Sequence, residues 1–145
     1  AGYVEEGPMP KLFRQSPLNA IWEGSGNVIA LDILRALSRE PDSLEAIMAE
    51  LQTPVGAHPY FDAHAEWLKD YFLPGKLHEG TARRFAQDMA LALQAAALFN
   101  TVPGYVFEAF CAQRLDPRRK GFLYGDVNAD VDQARLIERA LAPMS

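Results

Sequence analysis

The chain has 145 residues, 49% of them hydrophobic and 23% charged, which excludes a disordered polyampholyte and fits one domain with a sizeable core. A net charge of −5 is the wrong sign for a general nucleic-acid binder, and the single cysteine, Cys111, excludes a disulfide framework and a cysteine-based zinc site. The longest apolar stretch, residues 89–99, is broken by Gln94 and too short to span a bilayer. The start of the chain carries Glu5, Glu6, Gly7 and Pro8 where a signal peptide needs a basic region and an apolar core, so a cytoplasmic protein is expected.

Strand signals are poor: there is no Asn-Gly or Asp-Gly hairpin and no long alternating β-branched run. Proline and glycine instead cut the chain into segments of helical length, at Gly7-Pro8-Met9-Pro10, Gly24-Ser25-Gly26, Pro54-Val55-Gly56, Pro74-Gly75 and Pro103-Gly104. The first 20 residues, rich in both, are expected to be the loosest part. Ser25 or Asn27 caps a helix to about residue 39, with Val28, Leu31, Leu34 and Leu37 at helical spacing and Pro41 ending it. Asp42 or Ser43 starts a second helix to about residue 51. Pro59 suits the first turn of a third, whose apolar residues are Phe61, Trp67, Leu68, Tyr71 and Phe72. The fourth, over about 81–100, carries Phe85, Met89, Ala92, Ala96 and Phe99 as one continuous stripe, and its alanine-rich centre allows close helix approach. It belongs at the centre of a bundle or in a subunit interface. Pro103 opens a fifth, to about residue 115, closed by Asp116-Pro117; Asn128 or Asp130 caps a last one to about residue 141. The pattern predicts an all-α helical bundle of about five to six helices.

One segment carries chemistry: Ile21-Trp22-Glu23-Gly24-Ser25-Gly26-Asn27. Glu23 follows two apolar residues, which would desolvate it and raise its pKa toward the range a general base needs. It precedes a glycine-rich helix start, where free backbone N–H groups can receive an anion or phosphate. A glutamate that merely favours the helix macrodipole, with Ser25 as an ordinary N-cap, accounts for the same residues.

The wider pattern resembles a known family. Gly2-Tyr3-Val4-Glu5-Glu6-Gly7-Pro8-Met9-Pro10-Lys11-Leu12-Phe13-Arg14, followed by Ile21-Trp22-Glu23-Gly24-Ser25, resembles the C-terminal part of the flavin-dependent acyl-CoA dehydrogenases. There a Gly-Gly-x-Gly-aromatic turn precedes a Lys-Leu-x-Arg helix, and an Ile-Tyr-Glu-Gly-Thr element starts the final helix. The Trp-Glu-Gly-Ser-Gly-Asn variant and the long helical extension look like the AidB-type branch, linked to alkylation damage. The motifs cover about residues 1–40; beyond them the likeness is in architecture and length. The resemblance implies two parts: residues 1–40 as the end of the C-terminal helical domain, and residues 41–145 as a helical extension packed with it in one bundle.

The resemblance also assigns roles. Glu23 matches the base that removes the α-proton of an acyl-CoA thioester while FAD accepts a hydride from the β-carbon, and its amide N–H helps hold the thioester carbonyl. Gly24 and Ser25 match positions that approach the flavin and its nucleotide part. Gly2 matches the last glycine of a turn that touches the flavin of a neighbouring subunit, and Arg14 a structural arginine. The family's N-terminal helical domain, central β-domain and first bundle helices are not in this sequence. The resemblance therefore implies the C-terminal portion of a larger oxidoreductase, itself inactive and with little or no hold on FAD, and a homo-oligomer.

Other features carry less. His58, His64 and His78 show no metal-ligand spacing, and no metal site is expected. Arg114, Arg118, Arg119 and Lys120, followed by Phe122 and Tyr124, could contact DNA phosphates, as the AidB-type branch implies; net acidity favours a solvated loop whose arginines pair with carboxylates. A helical module for self-association is a further alternative. Cys111, between Phe110 and Ala112, reads as a buried inert thiol.

Overall fold

Proline residues set most of the helix boundaries. In the computed structural model, which describes residues 2–22, 24–119 and 131–141, the chain folds into helices α1 (Met9–Gln15), α2 (Gly26–Arg39), α3 (Pro41–Gln52), α4 (Pro59–Lys69), α5 (Ala82–Thr101), α6 (Gly104–Phe110) and α7 (Gln133–Leu141). Short 3₁₀ turns cover Ser16–Ala20, Asp70–Phe72 and Pro117–Arg119. The described residues contain no strand, so the all-α bundle stands, with one helix more than the upper count expected. The addition is α1, which matches the helix that the Lys-Leu-x-Arg resemblance implied.

Pro41 both ends α2 and begins α3. It forces Glu40 out of helical geometry (φ −127°, ψ 77°) and then occupies the first helical position, where its missing N–H costs nothing. Pro59 does the same for α4, leaving His58 extended as N-cap. The expected caps Asn128 and Asp130 lie outside the described residues. Asp132 stands before α7, and its Oδ1 accepts from the Arg135 amide at 3.1 Å.

The His58 cap is sensitive to pH. Its Nδ1 accepts from the Tyr60 amide at 3.1 Å, which requires that nitrogen to be unprotonated. Burial lowers the His58 pKa below the ordinary 6.5, against the opposing pull of Glu108 and Asp62. A base with a depressed folded pKa contributes stability that is present above its unfolded value and lost as pH falls through the folded one. Stability is therefore expected to decline as pH drops below about 6.5. His58→Asn, which keeps a cap without titrating, should flatten that part of the profile in denaturant melts at pH 7.5 and 5. Equal slopes for the two proteins would refute the cap as the cause.

α5 is the hub, with α2, α3, α4 and α6 all packed on it. Phe85, Ala92, Ala95 and Ala96 are fully buried, and the alanines let neighbouring helices approach. The buried arc differs slightly from the expected stripe. Asp88 and Ala95 lie inside it, Met89 is half-buried, and Phe99 is 39% exposed near the helix end. Around Phe85 the rings of Tyr71 (5.3 Å) and Phe72 (5.6 Å) pack edge-on, and Phe107 meets Phe61 and Phe99. The third predicted helix thus spends its aromatics on the core. The fifth predicted helix is α6 continued by a π-helical turn, Cys111–Leu115. Cys111 is fully buried there, as expected, and burial pushes its thiol up to about 12.

A buried polar group escaped the sequence reading. Tyr71 donates its hydroxyl to Asp88 Oδ2 at 2.9 Å, and His64 Nε2 donates to the Asp88 main-chain carbonyl at 2.9 Å. Because a carbonyl only accepts, Nε2 carries a proton. Desolvation, reinforced by Asp88, pushes the Tyr71 phenol well above its ordinary value. No described helix is long and apolar enough to cross a membrane.

Candidate functional site

The segment before α2 turns tightly. Pro17 supports the 3₁₀ turn Ser16–Ala20, and the amides of Ile21 and Trp22 both donate to the Leu18 carbonyl at 3.0 Å. Gly24 then takes φ +115°, a region that L side chains rarely adopt. Ser25 is extended, and the Ile29 amide donates to its carbonyl at 3.0 Å as the first bond of α2. Ser25 is therefore the N-cap by position, but its hydroxyl makes no capping bond. Glu23 lies outside the described residues.

The glycines differ in what they require. A Cβ on Gly24 would meet Val28 Cγ1 at an ordinary 3.5 Å, so its constraint is backbone conformation rather than space. Gly24→Ala is expected to cost about 1–3 kcal/mol. At Gly26, in helical geometry, a Cβ would meet the Arg83 guanidinium at 3.5 Å, and Ala there should be neutral or stabilising. Urea melts of the two variants check the contrast; equal effects would overturn it. Gly2 is held by close approach, since a Cβ would come within 2.9 Å of Phe13 Cβ and Cγ. The first residues thus lie against α1. Arg14 pairs with Glu5 at 2.7 Å on the surface.

Ile21 is 66% and Trp22 58% exposed, so within this chain they build no closed apolar wall. They belong to a wider exposed band with Met9, Leu12, Phe13 and Leu18, because α1 packs chiefly on the 3₁₀ turn that follows it. A shallow cleft of about 140 Å³ between α3 and α4, lined by Met48, Leu51, Val55, Asp62, Ala65 and Lys69, contains none of the predicted site residues.

One charged residue near the site had no sequence signal. Arg83, in the first turn of α5, donates from Nη1 to Asn27 Oδ1 at 2.7 Å across 56 residues of chain. The other flagged groups are placed elsewhere. His58 caps α4, His64 is buried against Asp88, and His78 Nδ1 accepts from the Gly80 amide at 3.1 Å in the turn before α5. In the basic run, Arg118 forks onto the buried carboxylate of Asp116 (Nε–Oδ1 3.1 Å, Nη2–Oδ2 2.8 Å) and donates to the Tyr60 hydroxyl at 2.7 Å. Asp116 holds the Arg118 guanidinium even more firmly protonated than usual. Arg114 lies half-buried in the π-helical turn, whereas Lys120, Phe122 and Tyr124 are outside the described residues.

No family model matches the chain. It is 31% identical over 117 residues to AidB of Escherichia coli (strain K12), whose name assigns it provisionally to the acyl-CoA dehydrogenases; the match covers 81% of this chain and 21% of that protein. It is 36% identical over 55 residues to acyl-CoA dehydrogenase family member 11 of Caenorhabditis elegans, covering 38% of this chain and 9% of that protein. The chain thus spans about one fifth of the length of the first relative and under one tenth of the second.

Proposed function

We propose that this chain, which is acyl-CoA dehydrogenase-like and of the AidB type, is the part of a flavin-dependent acyl-CoA dehydrogenase that carries the catalytic base. The observation that carries the reading is the turn at Gly24. A glycine-only conformation follows the glutamate and leads into a helix whose first turn lacks a side-chain cap. That arrangement leaves backbone N–H groups at the start of α2 for a ligand.

In this reading Glu23 takes the α-proton of the thioester, and its amide N–H hydrogen-bonds the thioester carbonyl, where negative charge develops. FAD, when bound, supplies the acceptor for the hydride leaving the β-carbon. The residues present fit one edge of a flavin site. Gly24 brings no side chain, the Ser25 hydroxyl is not used as a cap, and Trp22 and Ile21 offer exposed apolar surface. Gly2 and Arg14 shape the preceding turn and helix. The substrate is an acyl-CoA, the setting cytoplasmic, and the assembly a homo-oligomer. The exposed band on residues 9–22 is the face that the rest of the enzyme covers.

Purified alone, the 145-residue chain is expected to be colourless after incubation with FAD and to reduce no acceptor with acyl-CoA. A longer polypeptide containing a flavin-binding region should lose its flavin absorbance on anaerobic addition of acyl-CoA. A yellow, active 145-residue chain would overturn the reading of it as a part. A longer flavoprotein that acyl-CoA does not bleach would overturn the activity.

A further inference from the structure

We propose that Arg83 is a positioning residue for the Glu23-Gly24-Ser25 element, acting through Asn27. The inference rests on the reading above, which makes that element catalytic. Among the described residues the start of α2 has no local side-chain cap: Ser25 sits at the N-cap without a capping bond, and Gly24 has no side chain to supply one. What fixes it is tertiary. Arg83 Nη1 donates to Asn27 Oδ1 at 2.7 Å, and the same guanidinium lies over Gly26, 3.5–3.7 Å from where a Cβ would be.

Arg83 is well placed for this task. It is flanked on α5 by the buried residues Ala82 and Phe85, so its backbone is anchored in the hub of the bundle. The short directional bond to Asn27 holds it there. A base must be kept within about 0.5 Å of its working geometry, and the three residues between Asn27 and Glu23 transmit any slack at the start of α2. Beside the packing of α5 on α2, the helical extension thereby acts on the start of the element through this side-chain tie.

Amide exchange at Ile29, the first hydrogen-bonded amide of α2, reads this tie in the 145-residue chain. Arg83→Met should speed that exchange about 5-fold and shift the Gly24 and Ser25 amide resonances. Arg83→Lys, which keeps a donor, should restore most of the protection. Asn27→Asp should slow exchange with Arg83 present, and the gain should shrink in the Arg83→Met background to what an acidic residue in the first helical turn draws from the macrodipole alone. Unchanged exchange in Arg83→Met, or a gain from Asn27→Asp of equal size with and without Arg83, would overturn the proposal.

In the longer flavoprotein, Arg83→Met should lower kcat with KM unchanged, and Arg83→Lys should recover it; an effect on KM alone would overturn the positioning role. The two readings fail separately. Full activity in Glu23→Gln removes the catalytic assignment, whereas an inactive Glu23→Gln beside a fully active Arg83→Met removes only the tie.

Discussion

With Glu23 as the base of the proposed function, Glu23→Gln is expected to lower the rate of acyl-CoA oxidation in a longer, flavin-binding polypeptide by about 10²–10⁴-fold, the usual contribution of a positioned general base. Glutamine has nearly the same size and shape, so it leaves the turn into α2 in place and removes only the ability to accept a proton. Substrate should still bind, seen as a perturbed flavin spectrum without bleaching. The pH dependence of kcat should lose its acidic limb, which reports deprotonation of the base. A Glu23→Asp variant, with its carboxylate drawn back by one methylene, should fall between the two. An unchanged rate in Glu23→Gln would remove position 23 from the chemistry.

Phe85→Ala is expected to cost about 3–5 kcal/mol, a large share of the roughly 5–15 kcal/mol that holds a domain together. Phe85 is fully buried on α5, between the rings of Tyr71 and Phe72. Its removal opens a cavity in the hub, which the short neighbouring helices cannot collapse to fill, since they are held by the same packing. It also exposes the Tyr71–Asp88 bond to water. Denaturant midpoints, with near-UV circular dichroism for the ring environment, measure the effect. Phe99→Ala, at a 39% exposed position of the same helix, serves as the comparison and should cost clearly less. A loss below about 1 kcal/mol for Phe85→Ala would show that α5 is not the centre of the bundle.

The helices were legible because their signals are local. Pro41 and Pro59 restrict their own and the preceding backbone wherever the chain goes, so the starts of α3 and α4 follow within a residue or two of the expected places. The turn at Gly24 was legible for the same reason. The alanine and aromatic pattern of α5 marked it as central before any partner was known. α1 was missed by patterning, since Pro8 and Pro10 read as punctuation although Pro10 sits in its first turn. Only the likeness of Lys11-Leu12-Phe13-Arg14 to a family motif pointed to a helix there.

Within the candidate site, the amino-acid sequence alone determined the Ile-Trp-Glu-Gly-Ser motif, its place before a helix, and the family it resembles. Only the tertiary structure decided what surrounds it. Arg83 meets Asn27 there across 56 residues, and elsewhere in the fold Arg118 meets Tyr60 across 58 and Tyr71 meets Asp88 across 17. The exposure of Ile21 and Trp22 belongs with these, because apolar character is written in a residue whereas burial depends on what packs over it. Backbone restriction acts within a residue or two and is carried by the residue itself. Hydrogen bonds between distant side chains exist only where packing brings their helices together, and no local pattern records which exposed arginine or buried aspartate will find a partner.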